Sequence, residues 1–258
     1  MQIWQAIILG AVQGITEFLP ISSSGHLILL QRWFGITEGA IFYSIMLHLA
    51  TLIPIIIVLF KQIIGLFKKP FGKMGCLILA TIPAGIVGLI FSLKLDLDLL
   101  FAQNIWLLGI TFILTAIELI FTERYSKKVA LNNKVTAKTS FIMGLGQAVG
   151  VFPGISRSGS TITFGTLAKV DKEENAHFTF LMSIPIILAA VLLQVLDGIK
   201  NGFGQIAWLP LAFGMITAML TGYIAIKFML RVIKKANYKW FSLYLVLVSI
   251  ATFVTAFV

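Results

Sequence analysis

Charge is what this chain has least of. Only 12% of its 258 residues are Asp, Glu, Lys or Arg, against 59% hydrophobic residues and a mean hydropathy of +0.99. A water-soluble domain of this length needs much more polar surface, so lipid is the solvent for most of the chain. Acid is scarcer than base, 10 residues against 20, for a net charge of +10. On a soluble protein that excess would suggest nucleic acid. Here the basic residues bunch in short loops between apolar runs, as the positive-inside rule expects, and no nucleic-acid partner is expected. Cysteine occurs once, as Cys76 inside an apolar run. That excludes a disulfide within one chain, suggests no thiolate metal site and reads as a small buried hydrophobe. No basic lead and no small-residue cleavage site precede Gln13, so the first apolar segment is expected to stay in the mature protein.

What the chain has in abundance is apolar runs long enough to cross a bilayer, which takes roughly 20 residues. Six qualify, at about 41–60, 74–93, 104–121, 177–197, 206–226 and 240–258. Three connecting loops are basic: 61–73 with Lys61, Lys68, Lys69 and Lys73; 122–138 with Arg124, Lys127, Lys128, Lys134 and Lys138; and 227–239 with Lys227, Arg231, Lys234, Lys235 and Lys239. The other two, 94–103 and 198–205, set Lys94 against Asp96 and Asp98 and carry Lys200 alone. Placing the basic loops in the cytoplasm lets the spans alternate and leaves both chain ends outside.

Two segments remain, about 1–40 and 139–176. Each has two short apolar arms around a middle rich in Pro, Gly and Ser. Over Gly10–His26 and Gly144–Ser160, aligned without a gap, the pairs Gly10/Gly144, Gln13/Gln147, Phe18/Phe152, Ile21/Ile155, Ser22/Ser156, Ser24/Ser158 and Gly25/Gly159 match. The chain therefore reads as a duplicated unit. Three spans separate the copies, and an odd number of crossings inverts the second. The expected fold is an all-α polytopic integral membrane protein of two inverted-topology repeats, about 1–121 and 139–258, each a re-entrant helix–loop–helix plus three spanning helices in one membrane domain. Such repeats bring their irregular loops together near the bilayer midplane. Two ordinary kinked spans in place of each hairpin would keep the same charge pattern.

The loops also carry the chemistry. Glu17 is an ionisable group inside a membrane segment, a functional candidate by default. Ser23 offers a nucleophile, and His26 a proton carrier. Pro20 and Gly25 interrupt the helix and free backbone N–H groups for an anion. From the second copy, Arg157 adds a fixed positive fork for a phosphate, with Ser156, Ser158, Ser160 and Thr161 around it. The copies differ where it matters: Glu17 and His26 belong to the first alone, and Arg157 stands where the first has Ser23.

Gln13-x-x-x-Glu17 followed by PISSSGH, together with PGISRSGST, resembles the two signature regions of the bacterial undecaprenyl-diphosphate phosphatase family, known for bacitracin resistance. The similarity covers essentially the whole chain. It implies a multi-pass enzyme of the bacterial cytoplasmic membrane, open to the extracytoplasmic side, that removes the terminal phosphate from the polyprenyl diphosphate carrier. Carried over residue by residue, the resemblance makes Glu17, Ser23, His26 and Arg157 catalytic and places Ser156 and Thr161 in the second motif. We add Gln13, Ser22, Ser24, Gly25, Gly154 and Ser158 as substrate-binding residues. The resemblance also implies a divalent cation, Mg or Ca, with Glu17 as its one candidate ligand. Substrate phosphates and water would have to complete its shell, because intramembrane carboxylates are few. Gln13 departs from the family, which often has Glu there, and this tells against a metal held by two carboxylates. Ser23, His26 and water all stay open as the nucleophile, and a homodimer stays open as the assembly.

The rival class is a transporter of polyprenyl phosphate or another anion, since broken helices and midplane polar groups are general transporter features. A nucleophile, base and acid gathered in one repeat favour hydrolysis. Outside the motifs, Glu118 is expected to snorkel to the interface, with a functional role as the alternative, and His48 to be a packed, hydrogen-bonded histidine, with a place near the cavity as the alternative. His177 reads as interfacial, after a solvated charged connection at 172–174. Gly85, Gly88 and Gly222 read as sites of close helix approach.

Overall fold

The computed structural model describes every residue except 38, 70–71, 96, 202–205 and 258, with side chains throughout apart from 92–94 and 201. Asp96, the side chain of Lys94 and positions 202–205, all read above as outer-loop residues, lie outside the described residues. The described chain is helical, with a lone bridge between Asn133 and Val170. The first half runs α1 (Ile3–Phe18), α2 (Ser23–Trp33), α3 (Ala40–Val58), α4 (Phe60–Leu66), α5 (Gly72–Lys94), α6 (Leu97–Gln103) and α7 (Trp106–Ser126). The second runs α8 (Ala137–Val149), α9 (Arg157–Leu167), α10 (Lys172–Asn201), α11 (Trp208–Lys235) and α12 (Lys239–Phe257).

Six of these helices are long and apolar enough to cross a membrane: α3, α5, α7, α10, α11 and α12. They coincide with the six expected runs. The connections hold more helix than expected. Lys61 lies on α4, α6 occupies the 94–103 loop, and α11 carries its periodicity through Lys227 to Lys235. Residues 172–174 are not a loop either: Asp171 Oδ1 accepts from the backbone N–H groups of Glu173 and Glu174 and starts α10. The segments 1–40 and 139–176 are both broken helix pairs, α1/α2 and α8/α9. At about 1.5 Å per residue, α1 is about 24 Å long, short of the ~30 Å hydrocarbon core.

The three basic connections meet at one end of the molecule. A cavity of about 370 Å³ is lined by Lys61 and Lys73 from one of them, Val135 from another and His177 of α10. Lys234 pairs with Glu173 at 2.9 Å, and the Glu123 carboxylate accepts from the Tyr238 and Lys239 N–H groups at 2.7 and 2.9 Å. That clustering is what a shared cytoplasmic face requires.

The halves exchange arms. α1 packs along α11 and α8 along α5, each hairpin's first arm lying on the second span of the other half. Small residues make this possible, because packing in lipid is gained by close approach rather than by a hydrophobic drive. A Cβ on Gly10 would stand 2.1 Å from the Gly214 carbonyl oxygen, and one on Gly144 2.5 Å from the Ala80 carbonyl oxygen. Gly222 meets Phe18 and Pro54, as expected, but Gly85 and Gly88 face open space and bring no helix close. The core between the halves is apolar, with Phe18 edge-on to Phe180 beside Ile55, Phe112 and Met143. Ile57, Ile224, Leu247 and other large aliphatics lie on the outside, where lipid covers them.

Gly10→Val should therefore lower the thermal unfolding temperature of the protein in detergent, by the equivalent of about 1–3 kcal/mol for forced overpacking. Gly85→Ala, at an open helical position, should leave it level or raise it slightly. Melting the two variants beside the unaltered chain checks both.

Candidate active site

Each hairpin breaks for a local reason. α1 stops at Leu19, which takes extended geometry (φ −74°, ψ 147°) as the residue ahead of Pro20. The chain re-enters helix at Ser23 under an N-cap from Ser22, whose Oγ accepts from the Gly25 N–H at 3.4 Å. In the second hairpin, Ser156 Oγ accepts from the Gly159 N–H at 3.1 Å. The hydroxyl pairs Ser22/Ser24 and Ser156/Ser158 stand 3.4 and 3.3 Å apart. The matched residues of the repeat thus build the same cap twice. The unmatched residue between them is the first of its helix: Ser23 in one copy, Arg157 in the other. Left-handed backbone appears in both loops, at Ser22 (φ 68°) and Gly154 (φ 84°), and Gly154 alone of the two adopts it without a Cβ penalty.

The two loops touch. Ser158 Oγ donates to the Leu19 carbonyl at 3.1 Å, and a Cβ on Gly25 would stand 2.9 Å from Gly154 Cα. Thr115 of α7 secures the second loop, donating to the Gly154 carbonyl at 3.1 Å and accepting from the Ser156 N–H at 3.2 Å. The first helical residues of α2 and α9 therefore face one carboxylate.

That carboxylate is Glu17, buried with 2% of its side chain exposed. Its Oε1 accepts from Arg157 Nη2 in an ion pair across the two halves. Its Oε2 accepts from Ser23 Oγ at 2.8 Å and from Gln13 Nε2 at 3.0 Å, one helical turn back. A buried charge needs this many partners to stay ionised away from water. Arg157 Nη1 and Gln13 Oε1 are buried with no hydrogen-bond partner among the described residues, and so is the whole amide of Gln147, the counterpart of Gln13 in α8. A guanidinium nitrogen left open beside the Ser23–Glu17 pair suits an incoming anion.

Glu17, Ser23, Arg157 and Gln13 thus come together, and a residue not assigned to the site joins them. His48 of α3 places Nε2 at 3.3 Å from Ser23 Oγ and 3.4 Å from Glu17 Oε2. A polar residue in the middle of a span was its only signal in the sequence. His26 makes other contacts. Its Nδ1 is 2.7 Å from the Ser22 carbonyl, and its Nε2 is 2.9 Å from Tyr244 Oη of α12, with the two rings stacked and Phe112 edge-on. Both ring nitrogens are engaged, neither with Ser23. Thr161 donates back to the Arg157 carbonyl within α9, and Ser22, Ser156 and Ser158 are spent on caps and the loop crossing. Glu118 does not snorkel: it accepts from Ser160 Oγ of α9 at 2.9 Å.

The described residues include no group of three or more His, Cys, Asp or Glu able to hold a metal ion. With Oε1 on a guanidinium and Oε2 under two donors, the residues at Glu17 do not fit a resident cation.

Residues 6–251 match the model of the family described as bacitracin resistance protein BacA. The chain belongs to the BacA family. Among its relatives, the undecaprenyl-diphosphatase of Carboxydothermus hydrogenoformans is 40% identical over 247 residues, covering 95% of this chain and 94% of the relative. The undecaprenyl-diphosphatase of Treponema denticola is 40% identical over 261 residues at the same coverage. That of Halothermothrix orenii is 36% identical over 99% of both chains. The family match spans both hairpins, so the Glu17–Arg157 crossing lies wholly within the BacA region.

Proposed function

We propose that this chain hydrolyses undecaprenyl diphosphate to undecaprenyl phosphate and inorganic phosphate, returning the lipid carrier to cell-wall synthesis and conferring bacitracin resistance. One observation carries the chemistry: a serine hydroxyl from one hairpin and an arginine from the other converge on a single buried carboxylate, with Arg157 Nη1 left over. Arg157 and the N–H groups at the starts of α2 and α9 bind the terminal phosphate. Ser23 gives its proton to Glu17 and attacks the terminal phosphorus; a bond forms from Oγ to phosphorus as the bond to the bridging oxygen breaks. Undecaprenyl phosphate leaves with the proton from Glu17, and water, giving its own proton to Glu17, then attacks the phosphoserine to free inorganic phosphate, Ser23 Oγ taking that proton back. His26 in this reading secures α2 to α12. A divalent cation belongs to the substrate side, riding on the diphosphate with its phosphates and water as ligands.

The chain is read as one membrane domain of two inverted halves, with the site between them and open to the extracytoplasmic side of the cytoplasmic membrane. The reciprocal packing of α1 on α11 and α8 on α5 and the shared basic end support this. A transporter reading is not favoured: the relatives are named for a hydrolase, and a serine engaged with a carboxylate is a device for reaction.

Purified protein in detergent, given long-chain polyprenyl diphosphate with and without a divalent cation, should release inorganic phosphate. Well-folded protein that releases none under either condition would sink the reading.

A further inference from the structure

We infer that His48 is a positioning residue of this active site, bridging Ser23 and Glu17 so that the nucleophile is held in one attacking orientation; the inference rests on the hydrolase reading above.

His48 is tied at both ends of its ring. Nδ1 stands 2.7 Å from the Ser44 carbonyl one turn back on α3. A carbonyl can only accept, so Nδ1 carries a hydrogen and the ring direction is set. Nε2 then lies 3.3 Å from Ser23 Oγ and 3.4 Å from Glu17 Oε2, the Ser23–Glu17 side being 2.8 Å; it donates to them when the ring is protonated, and in the neutral ring it accepts the Ser23 hydrogen in place of Glu17. Its helix is well anchored where it matters. Leu47 is 2% exposed in the core, and Thr51 donates to the His48 carbonyl at 2.6 Å. Ser23 sits at the start of a helix next to a loop, and a serine hydroxyl has three staggered positions to choose from. One hydrogen bond to Glu17 leaves it free to swing about that contact. A second contact from a rigid spanning helix removes the swing, as a supporting group for a reactive side chain should. The leverage is large, because displacing a reacting atom by about 1 Å costs about 100-fold in rate. His48 is the histidine that reaches Ser23; the ring nitrogens of His26 meet the Ser22 carbonyl and Tyr244 Oη instead.

Three variants test this: His48→Ala, His48→Leu and His48→Gln, each purified full-length in detergent and assayed for phosphate release from long-chain polyprenyl diphosphate. Unaltered protein must turn over first; silence there counts against hydrolysis itself and not against His48. Given turnover, Ala and Leu should lower kcat by about 100-fold with KM little changed, since the substrate's own contacts remain. Glutamine places an amide nitrogen or oxygen where Nε2 was, able to donate or accept. His48→Gln should therefore recover to within about fivefold of the unaltered kcat, reversing most of the Ala loss. Full activity in His48→Ala would overturn the inference. So would His48→Gln that is folded yet as slow as Ala, which would make the ring's proton chemistry, not its position, the contribution.

Discussion

Replacing Arg157 by alanine is expected to lower kcat/KM for polyprenyl diphosphate by about 1,000-fold or more and to destabilise the protein at the same time. The rate loss follows from removing a guanidinium beside the attacked phosphoryl group, a contact worth about 10³–10⁵ in comparable phosphoryl transfers. The stability loss has a separate origin. Glu17 is 2% exposed, and among the described residues Arg157 is its permanently charged partner. Breaking a buried pair by removing one partner costs about 3–5 kcal/mol, because the remaining charge is left without compensation. The two effects separate in the double variant Glu17→Gln/Arg157→Gln. Two neutral amides in place of the pair should restore most of the stability while activity stays lost. Unfolding in detergent micelles reads the first quantity, and phosphate release reads the second. If Arg157→Ala proved as stable as the unaltered chain, the cross-hairpin ion pair would not be holding the halves together.

Ser23→Ala should abolish turnover, by about 10⁴-fold or more as for other nucleophile deletions, with less than about 1 kcal/mol lost in stability. The fold tolerates it because Ser23 is the first helical residue and not the cap, and Glu17 Oε2 keeps its bond from Gln13. Ser22→Ala should do the opposite on stability, losing about 1 kcal/mol with the cap of α2. A chemical test distinguishes a covalent route. With diphosphate labelled at the terminal phosphorus, acid quenching during turnover should leave label on the unaltered chain and none on Ser23→Ala. Turnover without any label on the unaltered chain would point to direct attack by water.

The paired motifs also show what an internal repeat preserves. Ser22, Ser24 and Gly25 recur as Ser156, Ser158 and Gly159 because both helices need the same cap at the same spacing. Ser23 and Arg157 differ because the cap places no demand on the first helical residue. One scaffold, built twice, aims a hydroxyl and a guanidinium at a common carboxylate.

Much of this protein was settled by the sequence alone. Six apolar runs became the six spanning helices, and both Pro/Gly/Ser-rich segments became broken helix pairs. Glu17, Ser23 and Arg157 stood out as candidate site residues before any contact was known. These features are local: helix length follows from a run of apolar residues, a break from Pro20, a cap from Ser and Gly three positions apart. Tertiary structure decided the rest. It put His48, 25 residues from Ser23 in the chain, beside the Ser23 hydroxyl, and turned His26 toward Tyr244, 218 residues away. It also closed Glu118 onto Ser160 and left Gly85 facing open space while Gly10 took the close approach. The physical reason is common to all four. Periodicity tells which face of a helix is apolar, but not which neighbour a polar side chain on that face will meet. That depends on how the helices of the two halves pack against one another, which no single segment encodes.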